Sequence, residues 1–317
     1  MGAPIRVIAI MGATATGKSA LAISLARELG GEIVSMDSRQ VYSGFDVGTG
    51  KTPTAHRGGV PHHLIDVAEP SEWWSAGRHA ALAERLAREI TVRGHIPILA
   101  GGTGLYFRAL FRGLVDVVIP RDELARIRAT FAGVDTNELY QRLAEADPAR
   151  TRELSANDRV RITRALELFA FTGVRPSDLY AQQESSGDDF VYFKLVLFLP
   201  RPAARARIAE RTRELFDAGW PDEVRRLLAR GVTLETPAMN GLGYRAIAAA
   251  LQEGRDAASC LEAVVEETQQ YAKRQETFFR SERDAVWIDV SSPGWERETG
   301  ALVRAFLQIA TGRSQAQ

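Results

Sequence analysis

A chain of 317 residues is long enough for a sizeable buried core and for two or three structural units. Its 40 Lys and Arg cancel its 40 Asp and Glu, which excludes a global basic field as the means of holding nucleic acid or an anionic membrane. A single cysteine, Cys260, excludes an internal disulfide and fits a reducing, cytoplasmic setting; no apolar run reaches membrane-span length, and the first residues lack a signal-peptide pattern.

The basic residues are nearly all arginine, with lysine only at 18, 51, 194 and 273. Arginine suits bidentate phosphate contacts, although a GC-rich genome produces the same skew.

The first predicted element is an apolar, β-branched strand, Val7-Ile8-Ala9-Ile10-Met11. It runs into Gly12-Ala13-Thr14-Ala15-Thr16-Gly17-Lys18-Ser19, which has the G-x-x-x-x-G-K-[ST] spacing of a phosphate-cradling P-loop. Apolar residues at helical spacing follow as far as Gly30-Gly31, a helix stop. Strand, glycine loop and helix N-terminus together aim backbone N–H groups and a helix dipole at an anion. Lys18 is placed to reach an outer phosphate, and the Ser19 hydroxyl to hold Mg²⁺. The motif means a bound polyphosphate, such as ATP or another diphosphate-bearing molecule, without saying which.

A second strand, Glu32–Met36, ends on Asp37-Ser38-Arg39-Gln40. Ligands of open parallel sheets sit beyond the carboxyl ends of strands, so Asp37 falls beside the P-loop. A helix cap, a Mg²⁺ carboxylate and a general base are all open to it. Residues 44–62, rich in Gly, Thr, Pro and His, read as a long functional loop leading to a short strand at 61–67. Adjacent His62 and His63 point to opposite faces of that strand and have no Cys/His partners elsewhere, which favours structural roles. Ser75–Val92 has a helical pattern, with Trp73 and Trp74 expected to pack at its start.

Ile96–Ala100 is a third buried strand, opening into Gly101-Gly102-Thr103-Gly104, whose glycines would let main chain and hydroxyl approach a ligand. The strand ends without a Walker-B carboxylate, which counts against an ordinary ATPase. From Gly113 to Gly187 the pattern turns helical, near 121–132, 136–145 and 158–172, and reads as an insertion; Arg161 and Arg164 share one helical face. Phe190–Leu199 returns to strand character. The next helix carries Arg207 and Arg211 one turn apart, either a phosphate fork or ordinary ion pairs with Glu210 and Glu214. The remainder is largely helical to about residue 283, broken by the turn Met239–Arg245, and residues after Leu307 read as a frayed tail. Tyr271, Lys273, Arg274, Phe278, Phe279 and Arg280 form a basic-aromatic cluster that suits single-stranded RNA, or a helix turning its aromatics inward.

Taken together, the P-loop, Asp37-Ser38-Arg39-Gln40-Val41-Tyr42, Gly59-Val60-Pro61-His62-His63-Leu64-Ile65-Asp66, Gly101–Phe107, Asn157-Asp158 with Arg161 and Arg164, Gly243-Tyr244-Arg245 and Ala272-Lys273-Arg274-Gln275 occur in one order along nearly the whole chain. In this the chain resembles the tRNA dimethylallyltransferases, or tRNA isopentenyltransferases. It departs from them at Phe278-Phe279, where Thr-Trp-Phe-like residues are usual, and at Ala246, where Gln is common.

The resemblance implies an α/β fold: a P-loop NTPase-like parallel sheet core (1–112), an inserted all-helical tRNA-binding domain (113–187), and a return to the core with a helical C-terminal region (188–317). It implies transfer of a dimethylallyl group from dimethylallyl diphosphate to N6 of the adenosine 3′ of the anticodon, with Mg²⁺ on Ser19. Gly12, Ala13, Thr14, Ala15, Thr16, Gly17, Lys18, Ser19 and Arg211 would hold the diphosphate, with Arg207 the neighbour that competes for the last role. Asp37 would be the general base, and Thr103 would bond near the scissile oxygen. The tRNA contacts implied are Asp37, Ser38, Arg39, Gln40, Thr103, Arg126, Arg161, Ile162, Thr163, Arg164, Asn240, Gly243, Tyr244 and Arg245, within Val160–Arg164 and Asn240–Arg245. The partners implied are the tRNA anticodon stem-loop and dimethylallyl diphosphate, with no membrane, for a monomer. A free-adenylate isopentenyltransferase, a small-molecule P-loop kinase and a nucleic-acid-binding module without chemistry are the competing readings. On the first reading Asp37→Ala loses about 100-fold or more of prenyl transfer while tRNA binding, measured by filter retention, is kept.

Overall fold

The computed structural model describes residues 4–114, 117–181, 189–282 and 284–308. In chain order the core begins β1 (Ile5–Gly12), α1 (Lys18–Leu29), β2 (Gly31–Ser35), β3 (His62–His63), α2 (Ala76–Val92), β4 (Ile96–Gly101) and α3 (Gly104–Arg112). Five helices follow: α4 (Arg121–Ala129), α5 (Thr136–Ala146), α6 (Pro148–Arg152), α7 (Arg159–Thr172) and α8 (Pro176–Ala181). The chain then resumes with β5 (Phe190–Phe198), α9 (Arg201–Asp217), α10 (Trp220–Ala229), α11 (Tyr244–Gln252), α12 (Leu261–Phe279), β6 (Val286–Asp289) and α13 (Trp295–Gln308).

The six strands form one sheet in the order β3-β2-β4-β1-β5-β6, and every pairing is parallel. A parallel sheet is covered on both faces, so its central strands read as continuous apolar runs. Accordingly Val7 to Met11 are fully buried, and Ile8 and Ile10 join Leu21, Leu25, Ile98, Leu195 and Val303 in one cluster. The α/β core expected from the sequence is therefore present. Two short elements departed from expectation. The strand at 61–67 shrinks to His62–His63, and β6, with only four residues, follows the helical stretch that was expected to end near residue 283. Four residues of Val-Trp-Ile-Asp carry too little periodicity to announce a strand; the exposed edge of β5 supplies the register. The tail after Leu307 lies outside the described residues beyond Gln308.

The chain divides into two compact units, Met1–Arg108 with Ser186–Gln317, and Ala109–Ser185. The first division falls within α3, before the Gly113 that composition marks. Inside the second unit, Ile127, Leu139, Leu143, Ile162 and Leu166 form a separate core. Asp147 is buried there because its carboxylate accepts the backbone N–H groups of Arg150 and Ser177, stopping α5, starting α6 and tying in α8. Among the described residues no helix is long and apolar enough to cross a membrane.

Glu32 on β2 is a buried carboxylate on the sheet. Arg93 grips it with two N–H groups at 3.0 and 2.7 Å, and His63 and His95 each approach a different oxygen at 2.6 Å. His63 thus ties β3 to β2, while His62 bonds only the Val60 carbonyl. The Arg93 guanidinium, then the two imidazoles, hold the Glu32 carboxyl down at about 2 against the opposing effect of burial. A folded-state value below the unfolded one stabilises the protein fully above about pH 4.5 and loses that contribution as pH falls through about 2. Glu32→Gln should lower stability near neutral pH, because it removes the charged acceptor that Arg93, His63 and His95 share. In urea unfolding series the gap from the unaltered protein should stay constant above about pH 5 and narrow toward pH 2.

Candidate active site

Three carboxyl ends of strands converge. β1 ends in the P-loop and β2 in the Asp37 turn; these, with Gly101 and Gly102 at the end of β4, line one cleft of about 1990 Å³ within the first unit. Across it stand Arg207 and Arg211 of α9, and Tyr271, Arg274 and Gln275 of α12.

The P-loop is backbone under constraint. Ala15 has φ +63° and Gly17 φ +86°, so left-handed residues alternate with right-handed ones and the loop curls into a nest of N–H groups. A non-glycine residue held at positive φ stores strain, which the Thr16 hydroxyl bond to the Ala13 carbonyl (2.8 Å) helps to maintain. Gly17 caps α1, whose first N–H groups have no intrahelical partner, and Ala15, Gly17, Lys18 and Ser19 line the cleft.

Lys18 donates to the Ala13 carbonyl at 2.5 Å. Burial pushes its ammonium down to about 8; Asp37 opposes this, and Arg211 adds to it. Arg211 is lowered too, by burial first and by Arg207 in part, against Glu214. Burial and a neighbouring cation thus work against the charged form of both, so an anion bound beside them would be stabilised by both. Arg211 also packs where a side chain on Gly50 would lie, 2.5 Å from its guanidinium. Both α9 arginines line the cleft, and Arg211 reaches across to Gly50.

Asp37 resolves its alternatives in part. One carboxylate oxygen accepts the backbone N–H groups of Arg39 (2.8 Å) and Gln40 (3.3 Å), so the residue does cap its turn. Among the described residues no donor engages the second oxygen. Thr103 sits beside it, its hydroxyl accepting the Ser38 N–H at 2.9 Å.

The glycines around Thr103 have a cause the sequence concealed. A Cβ on Gly101 would lie 2.1 Å from the Met36 carbonyl oxygen, one on Gly102 2.3 Å from the Gln275 amide nitrogen, and one on Gly104 2.2 Å from the Phe278 ring. The loop is glycine-rich because β2 and α12 crowd it, and Gly101 and Gly102 also line the cleft.

The wall at 44–51 is built by two buried charges. Glu223 of α10 accepts the N–H groups of Asp46, Val47 and Gly48 and the hydroxyl of Tyr244. Lys51 donates to the Tyr42 carbonyl, Asp46 and Asp66. Both were missed as site-forming residues, since nothing local marks a Glu in an amphipathic helix as the anchor of a loop 175 residues away.

Of the residues expected to touch RNA, Asp37, Ser38, Arg39, Gln40 and Asn240 line the cleft, and Tyr244 lies in its wall. Gln40 is already committed to the Ser35 hydroxyl and the Thr49 carbonyl. Arg245 is exposed on α11. Three expectations need correction. Tyr244 is 1% exposed, in the core with Phe45 and Trp220, and burial and Glu223 keep its phenol protonated. Gly243 is buried, with φ +78° and no room for a Cβ against Trp220. Ile162 is fully buried in the core of the second unit. These three build the surface that others present. In that second unit, Arg126 and Arg161 are exposed, paired to Glu123 and Asp158 at 3.4 Å; Arg164 is half-buried on Glu167 and the Val117 carbonyl; Thr163 is half-buried beside it.

The basic-aromatic helix α12 splits by face. Phe279 is buried and Phe278 covers Gly104, whereas Lys273, Arg274 and Arg280 are exposed. Tyr271 and Gln275 reach the cleft and were not singled out as site residues. Trp74 packs as expected, donating to buried His79, but Trp73 is 63% exposed. No group of three His, Cys, Asp or Glu side chains among the described residues could hold a metal ion.

Comparison with known proteins gives one answer. The IPP transferase family model matches residues 40–282, and the isopentenyl transferase model matches residues 5–61. The chain is 41% identical to the tRNA dimethylallyltransferase of Desulfosudis oleivorans, covering 96% of both chains. It is 43% identical to that of Methylococcus capsulatus, over 95% of this chain and 97% of the relative. Among solved structures, the tRNA isopentenylpyrophosphate transferase of Bacillus halodurans is 30% identical with a TM-score of 0.71, covering 98% of this chain and 99% of its own. A eukaryotic dimethylallyltransferase acting on tRNA is 27% identical with a TM-score of 0.77, covering 98% of this chain and 80% of its own.

The depressed Lys18 pKa makes a measurable prediction. Inorganic pyrophosphate should bind with proton uptake above about pH 8, since the ammonium must be charged to meet it, and affinity should fall as pH rises through that value. Calorimetry in buffers of different ionisation heat reads the uptake. Lys18→Met should abolish its share of the uptake and weaken affinity about 10- to 100-fold.

Proposed function

Because the chain belongs to the tRNA dimethylallyltransferase family, we propose that it transfers a dimethylallyl group from dimethylallyl diphosphate to N6 of the adenosine 3′ of the anticodon in tRNA. The observation that carries the reading is the juxtaposition in one cleft of two cations beside the P-loop, Lys18 and Arg211, and a half-capped carboxylate at Asp37.

N6 attacks the allylic carbon, the C–O bond to the diphosphate breaks, and the electron pair leaves with the diphosphate. Lys18, Arg211 and the open N–H groups of the P-loop stabilise that growing charge where it forms. The Thr103 hydroxyl donates toward the scissile oxygen. Asp37 accepts the N6 proton through its second oxygen and, by meeting an amine edge, favours adenine over guanine. The first oxygen stays on Arg39 and Gln40 N–H, so the carboxylate is aimed while it works. No water needs activation, which suits a β4 that ends on glycine.

Mg²⁺ fits the donor present: the exposed Ser19 hydroxyl at the start of α1 lines the cleft and is a hard oxygen of the kind that ion takes together with phosphate oxygens and water. When bound it would supply further charge neutralisation on the diphosphate.

An adenine stacked in the anticodon loop is out of reach, so the base must be extruded, at a cost of a few kcal/mol. Ser38, Arg39, Asn240, Arg245 and Arg274 offer the contacts around the cleft, with Arg126, Arg161 and Arg164 on the second unit. With no net charge, the grip rests on local arginine surfaces and weakens as salt rises. The enzyme acts as a cytoplasmic monomer in this reading.

Labelled dimethylallyl diphosphate with Mg²⁺ and tRNA, AMP or ATP separates the possibilities. Label should appear in tRNA alone. Label in AMP would make this a free-nucleotide prenyltransferase, and phosphate transfer from ATP without label would make it a kinase.

A further inference from the structure

Gln275 occupies a place that the reaction as described leaves unexplained. It lies on the buried face of α12 with only 7% of its surface exposed. Its carboxamide oxygen accepts the Thr14 N–H of the P-loop at 2.9 Å, and its carboxamide nitrogen donates to the Gly102 carbonyl at 2.8 Å. One planar group thus joins the loop that meets the diphosphate to the loop that carries Thr103. A donor on one side and an acceptor on the other admit only an amide in this orientation.

We propose that Gln275 is a positioning residue for prenyl transfer, holding the P-loop and the Thr103 loop at the separation at which both act on one departing diphosphate. The inference rests on the proposed function above.

Three features support it. Gly102 has no room for a Cβ, which would stand 2.3 Å from the Gln275 nitrogen, so the contact depends on close approach of backbone and side chain. Phe278, one turn further along α12, fills the corresponding space at Gly104, so the helix holds Thr103 from both flanks. The Thr14 N–H, committed to Gln275, is removed from the anion cradle, leaving the P-loop amides from Ala15 onward for the diphosphate. That revises the sequence-based expectation that Thr14 contributes its amide. Gln275 touches no reacting atom; it sets where Thr103 stands relative to Lys18.

The test uses Gln275→Met, of similar length and apolar, and Gln275→Glu, which keeps the acceptor for Thr14 but sets oxygen against the Gly102 carbonyl. Each is measured for kcat with tRNA and dimethylallyl diphosphate, for tRNA Kd, for inorganic pyrophosphate Kd and for Tm, alone and combined with Thr103→Ala. Both should lower kcat by about tenfold or more, because a misplacement on the order of 1 Å is costly to an oriented reaction. The tRNA and pyrophosphate Kd values should move by less than about threefold, since each ligand needs only one side of the junction. In the Thr103→Ala background the further loss in kcat should vanish, because there is no hydroxyl left to position. A kcat within about twofold of the unaltered protein in both variants, or a loss of equal size with and without the Thr103 hydroxyl, would overturn the proposal. A purely structural Gln275 would lower Tm and give that second, additive result. Failure of the unaltered protein to label tRNA would instead sink the proposed function, and is told apart because it is seen before any variant is made.

Discussion

Everything at the site depends on how closely main chain meets main chain at the carboxyl ends of the parallel strands. Gly12, with φ +143°, leaves no room for a Cβ, which would lie 2.3 Å from the Leu197 carbonyl oxygen of β5. Gly101 meets Met36 just as tightly at the end of β2. Strands packed this closely deliver three loops to one edge of the sheet. The strained P-loop, the Asp37 turn and the Thr103 loop then share a cleft without any long-range device to gather them.

Charge finishes what packing begins. Lys18 and Arg211 face each other with their protonated forms disfavoured, so the pocket gains most from an arriving anion. Other charges at and behind its wall are already spent on the protein. Glu223 is neutralised by three backbone N–H groups and Tyr244, and Lys51 by Asp46 and Asp66. Both are buried, both are satisfied, and both serve to hold the 44–51 wall. A carboxylate spent on backbone amides adds rigidity there without competing for substrate.

Much of this was readable because its cause is local. The P-loop is a contiguous motif whose function is its backbone, and the helical periodicity from 158 to 172 survives as α7. Tyr244 misled because a motif lists neighbours in sequence without saying which way each side chain turns; on α11 it turns into the core while Arg245 turns out. Gln275 stood in a recognised run of residues, yet its role depends on Thr14, 261 positions away. The glycines at 101–104 carried a signal whose protein partners, Met36, Gln275 and Phe278, lie far off in sequence, since a missing side chain does not name what replaces it.

By itself the sequence determined the parallel α/β core, the anion loop and the family, because each is written in runs of adjacent residues governed by backbone geometry and hydrophobic period. The tertiary structure alone decided which polar groups are spent on the protein and which are left for a ligand. That distinction arises from hydrogen bonds between strands, helices and loops far apart in the chain. A donor or acceptor is available only when no distant partner has already claimed it.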